Sequence, residues 1–197
     1  MESLHFPHYK ADYSYAHIAL FRNVSTSEKL KNRIISASVT QGESGDKERE
    51  AVNFVFIDAR LITSKLHLQT AISQAILAES QGQLRTKTVH SEVLYYLNPT
   101  HNITEAIRRY GISKGNVDVI VVKIGSSELS PAAVEGNMKE VIDGTIVPLL
   151  ELENVTDWSS VKKYHKLNGE AAIKGSKERE IIDNIVVSSV AMKSVMS

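Results

Sequence analysis

The chain reads as strands and helices in alternation. Tyr13 to Phe21 (YSYAHIALF) is aromatic and apolar and predicts a strand. Behind the capping oxygens of Ser25 to Ser27, Leu30, Ile34 and Ile35 recur at helical spacing. Asn53 to Asp58 is a short apolar run, and Ser64 to Ser80 carries Leu68, Ile72, Ala75 and Ile76 on one helical face, closed by Gly82. Ser91 to Leu97 (SEVLYYL) is expected as a strand stopped by Asn98-Pro99. Asn102 should cap a helix in a capping box with Glu105, with Ile103, Ala106, Ile107 and Tyr110 on its apolar side and a left-handed Gly111 after it. Val117 to Ile124 is apolar at both parities, as a central strand covered on both faces would be. Pro131 to Ile142, Val155 to Tyr164 (behind Asn154 or Thr156) and Lys177 to Lys193 complete the helices. In the last, apolar residues at 181, 182, 185, 186 and 190 form a helical stripe despite many β-branched side chains.

This interleaving predicts an α/β (α+β) fold: a small mixed sheet of three or four strands packed with helices, in a single domain over 13–193. Residues 1–12 lack periodicity and are expected as a flexible arm. The segment 40–50 (TQGESGDKERE), with no apolar residue, is expected as a mobile loop.

Composition narrows the function. With 197 residues, 42% of them apolar, the chain can bury a core without staples. Its 23 basic and 23 acidic side chains balance, so a nucleic-acid contact would need a local patch. The absence of cysteine removes disulfides, thiolate metal sites and cysteine nucleophiles. No run approaches the roughly 20 apolar residues of a membrane helix, and the N-terminus lacks a secretory apolar stretch. An intracellular protein is expected, in which the glycosylation-type triplets at Asn23, Asn102 and Asn154 are chance matches.

Catalytic motifs are missing. There is no phosphate loop and no GxGxxG after a strand. Gly42-Glu43-Ser44-Gly45 is one residue short of a nucleophile elbow. His90-Ser91-Glu92 lacks the cysteine pair that zinc deaminases need. His5 and His8 would give a metal only two ligands. Glu92 could act as a general base or as a structural partner of Arg85 or Lys87. The expectation is no catalytic residue, no metal and no cofactor.

The segment LRTKTVHSEVLYYLNPTHNITEAIRRYGIS, from Leu84 to Ser113, resembles the PRPK-binding protein (TPRKB) family, the kinase-binding subunit of the KEOPS/EKC complex. Arg85-Thr86-Lys87-Thr88, Glu92, Val93 to Leu97, the turn Asn98 to Asn102, Ile103, Ala106, Arg109 and Gly111-Ile112 carry the likeness. Ala19-Leu20-Phe21, Phe56-Ile57-Asp58, Arg60-Leu61-Ile62 and Val161 to Leu167 extend it over roughly residues 13–190. The chain differs from the family in a longer 40–50 segment, an extended N-terminus, and Ser188 where the last helix is expected to carry arginine.

The resemblance implies a non-enzymatic subunit that binds the PRPK-type atypical kinase/ATPase within the complex that makes threonylcarbamoyladenosine in tRNA. It further implies a link to telomere maintenance, tRNA contact in the assembled complex, and a location in nucleus and cytoplasm. Kinase binding is expected at Ile181, Ile182, Ile185 and Ser189 of the last helix, with Ile103 and Ile107 close by. Contact with tRNA is expected at Arg85, Lys87, Lys162, Lys163 and Lys166. Two alternatives stand beside this reading. A stand-alone RNA-binding module would need both basic groups on one continuous face, and a small acid–base enzyme would need perturbed carboxylates converging in a pocket.

Overall fold

A computed structural model describes residues 1–170, 173 and 175–195; of the expected domain 13–193, residues 171, 172 and 174 lie outside the described residues. In chain order the elements are β1 (Glu2–His5), β2 (Tyr15–Arg22), α1 (Ser27–Val39), α2 (Gly42–Ala51), β3 (Val55–Asp58), α3 (Lys65–Ser80), α4 (Val89–Leu97) and α5 (Ile103–Tyr110). Then come β4 (Val119–Gly125), α6 (Pro131–Val141), β5 (Thr145–Val147), α7 (Trp158–Tyr164) and α8 (Glu178–Met192), with 3-10 turns at Ala59–Leu61 and Leu149–Asn154. The fold is α/β, as the interleaving predicts. The chain forms two compact units, one from residues 1–58 and 111–149, the other from 59–110 and 150–197.

The first unit holds the sheet, in the order β1-β2-β4-β3 with β5 also pairing β2. The expected mixed sheet of three or four strands is therefore five strands, and every described pairing is antiparallel. One face carries Ala19 and Phe21 of β2, Val119 and Val121 of β4 and Phe56 of β3. Leu30 of α1 and Val134 and Met138 of α6 pack on it. β4 lies centrally and is buried along both parities, as its sequence predicts.

Two strands escape the sequence pattern because both are short. β1 runs where a loose arm is expected; its residues alternate in burial, and Ser3 Oγ lies 2.8 Å from His17 Nδ1. β5 has three residues, too few for a period. α2 occupies most of the expected 40–50 loop. It has no apolar stripe, and holds to α1 through polar contacts instead: Arg33 pairs with Glu48, and Arg49 Nη1 donates to the carbonyl of Ala37 at 2.9 Å and of Thr40 at 2.6 Å. Gly45 permits that approach, since a Cβ there would lie 2.2 Å from the Thr40 carbonyl oxygen.

The second unit is helical. α3 packs against α4 and α8, and α4 against α5. Ser64 caps α3, accepting from the His67 N–H at 3.0 Å. The expected strand at 91–97 is instead α4. Val93 to Leu97 are all buried, so neither period shows in the pattern. The cap decides the matter: Thr88 and Ser91 form a reciprocal capping box. Asp157, rather than Asn154 or Thr156, caps α7. Asn102 does cap α5, accepting from the Glu105 N–H at 2.9 Å, but the Glu105 side chain turns to Thr100 and Arg109. Gly111 takes no left-handed conformation; it forms a single bridge with Ile57 in the sheet unit.

Candidate partner-docking surface

α8 divides its apolar residues by rotation about the helix axis. Ile182, Val186 and Val190, four residues apart, are at most 1% exposed and face inward. Ile182 thus serves the core and offers no surface to a partner, which corrects its expected docking role. Ile181 is half-buried against the cluster of Val161, Leu167 and Ile173. Ser189 is also half-buried. Ile185, at 37% exposure, opens the outward edge, which continues through Ser188 to Met192 at 51%. A β-branched run thus makes a helix because half its side chains find a core.

α5 repeats the division. Ala106 and Tyr110 are buried, whereas Ile103 and Ile107 are 36% and 49% exposed. Arg108 is exposed beside them, and Glu105 pairs with Arg109 at 2.6 Å. The structure therefore leaves Ile103, Ile107 and Ile185 outward in one unit.

Glu92 resolves to its structural role. It is fully buried, and its carboxylate accepts from the Arg85 N–H at 3.0 Å and from the N–H and hydroxyl of Thr86 at 2.8 and 2.7 Å. The partner is the backbone of the 85–86 turn rather than the expected Arg85 or Lys87 side chain. Held in this way, the loop exposes both Arg85 and Lys87. The other basic group stands on a separate segment. Lys162 of α7 is tied to Glu178 of α8 at 2.6 Å, while Lys163 and Lys166 are exposed.

Lys193 has no sequence signal beyond its position at the end of α8. It is 5% exposed, and burial draws its ammonium down to about 8 against the opposing pull of Glu92. It lines a cleft of about 660 Å³ together with Leu77, Arg85, Tyr95 and Tyr96. Deeper in the same unit, His67 accepts at Nδ1 from the Thr63 N–H (3.3 Å), with the Thr63 hydroxyl 3.1 Å from the same nitrogen, and His165 Nε2 lies 3.1 Å from the Tyr110 hydroxyl. Burial holds these imidazoles down to about 3 and about 4, with His165 adding to the first and Arg109 to the second. Among the described residues, no three His, Asp or Glu side chains gather as a metal would require, and no helix is long and apolar enough to cross a membrane.

Comparison with known proteins gives a consistent result. A family model described as kinase binding protein CGI-121 matches residues 21–194. The EKC/KEOPS complex subunit CGI121 of Cryptococcus neoformans is 33% identical over the whole of both chains. The Neurospora crassa subunit of the same name is 33% identical over 99% of each. That of Candida albicans is 32% identical over 77% of this chain and 78% of its own.

Proposed function

The chain belongs to the CGI-121 family of kinase-binding proteins, and from that premise we propose that it is a non-catalytic subunit of an EKC/KEOPS complex. It docks the complex's kinase through the outward edge of α8 and the outward face of α5. One observation carries this reading: α8 satisfies its core with Ile182, Val186 and Val190 and still turns Ile185 and Met192 to solvent. Full burial of a large apolar side chain contributes about 1.5–3 kcal/mol, so covering the exposed remainder of each would add roughly 0.5–1.5 kcal/mol. A few such anchors can dominate an interface.

The finer parts of the proposal rest on the family resemblance: a PRPK-type atypical kinase/ATPase as partner, support of threonylcarbamoyladenosine formation in tRNA, a link to telomere maintenance, and action in nucleus and cytoplasm. We assign the exposed Arg85, Lys87, Lys163 and Lys166 to tRNA phosphates in the assembled complex. Lys162 is withdrawn from that set by its pairing with Glu178. A chain of zero net charge has little long-range attraction for RNA on its own, which disfavours the stand-alone module.

The test is co-elution with the kinase on size exclusion. Ile185→Glu should leave the circular dichroism spectrum unchanged and abolish co-elution. Ile182→Ala, in the core, should lower stability by about 2–5 kcal/mol while the folded fraction still co-elutes. A folded Ile185→Glu protein that binds like the wild type would overturn the docking assignment.

A further inference from the structure

Lys193 lies just past the end of α8 but makes its contacts elsewhere. Its Nζ donates to the backbone carbonyls of Tyr95, Asn98 (2.6 Å) and Thr100 (2.9 Å), and stands 3.8 Å from the centroid of the Tyr95 ring. An ammonium has three N–H donors and no acceptor, so all three are matched. The acceptors are the C-terminal end of α4 and the turn that follows it. α4 has no basic residue in its own last turn, so Lys193 brings a cation to the negative end of that helix from another one. The turn then passes the constraint on. Asn98 Nδ2 donates to Thr100 Oγ1 at 2.8 Å, the Thr100 hydroxyl donates to Glu105, and the Glu105 N–H donates to Asn102 Oδ1 at 2.9 Å. Glu92 and Tyr95 of α4 face the ammonium, and Arg85 lines the same cleft. His101 Nδ1 lies 2.8 Å from the Tyr95 hydroxyl.

We infer that Lys193 is a positioning residue for partner docking: its ammonium fastens the end of α8 to the turn that launches α5, fixing the two helices that carry Ile185 and Met192, and Ile103 and Ile107. This rests on the docking reading above. Preorganisation of that kind raises affinity by removing an ordering penalty rather than by adding a contact.

The test compares full-length wild type with Lys193→Met, which keeps the apolar stem and removes the charge. Amide hydrogen exchange is measured on the free chain, and kinase affinity by calorimetry. We expect unchanged helix content, exchange at least tenfold faster across residues 98–105, and kinase affinity about tenfold weaker. Wild-type exchange in Lys193→Met overturns the inference. Faster exchange with unchanged affinity also overturns it, while the docking reading survives. If Ile185→Glu binds normally although Lys193→Met exchanges faster, the docking reading fails and the lysine keeps only a structural role. Should Lys193→Met not fold, Lys193→Gln takes its place under the same two measurements, and wild-type exchange across residues 98–105 in that variant would refute the inference.

Discussion

Removing the Glu92 carboxylate should loosen the 84–88 loop and lower the stability of the helical unit. The side chain is fully buried and collects donors from Arg85 and Thr86 through two backbone N–H groups and one hydroxyl. Hydrogen bonds to a charged acceptor contribute roughly 1.5–3 kcal/mol each when isolated. These share one acceptor, and Arg85 is exposed, so water can replace part of what is lost. Glu92 also sits in the first turn of α4, where a carboxylate contributes about 0.3–1 kcal/mol. We therefore expect Glu92→Ala to cost about 2–4 kcal/mol. Glu92→Gln should cost about 1–2 kcal/mol, because the amide keeps one acceptor but turns an NH₂ towards donors. Urea unfolding followed by circular dichroism gives the stability, and exchange at the Arg85 and Thr86 amides reports the loop directly. Protection there should fall ten- to a hundredfold in Glu92→Ala, with 1.4 kcal/mol for each factor of ten. Stability within about 0.5 kcal/mol of wild type for both variants, with unaltered protection, would refute this account.

Acid should destabilise the chain before its carboxylates titrate. His67 and His165 are held well below the unfolded histidine value of about 6.5, near 3 and 4, by burial first. The unfolded state therefore binds more protons, so their stabilising contribution is complete above pH ~6.5 and is lost as pH falls towards those folded values. His67→Phe should flatten the urea midpoint between pH 6.5 and 4.5, and a wild-type midpoint independent of pH over that range would contradict the argument. In the assembled complex, Arg85→Ala with Lys87→Ala should weaken tRNA binding evenly across sequences and shallow its salt dependence. An unchanged salt slope would remove these residues from the tRNA surface.

Long periodic elements were legible from the chain alone: α3, α6, α8 and the central strand β4 stand close to where their patterns place them. The family was legible too, because its signature lies in residues whose order is itself the signal. α4 was not. A segment buried on every side has no polar face to reveal its period, and its identity rested on the Thr88–Ser91 cap. α2 has only the exposed Ala51 as an apolar residue, too little to mark a face, and forms through Gly45, Arg33 and Arg49 against α1.

For the candidate site, sequence periodicity determined that α8 would be a helix with an apolar stripe, and composition determined that any RNA contact must be local. Only tertiary packing decided which members of the stripe face inward. Ile182 and Ile185 are the same residue type three positions apart, and only the elements packed around them set one at 0% and the other at 37% exposure. The roles of Glu92 and Lys193 were hidden for a related reason. Apart from the Thr86 hydroxyl, their partners are backbone groups of the 85–86 and 95–100 turns, and every residue carries the same backbone, so no sequence pattern marks an acceptor or donor that becomes available only when another segment is folded against it.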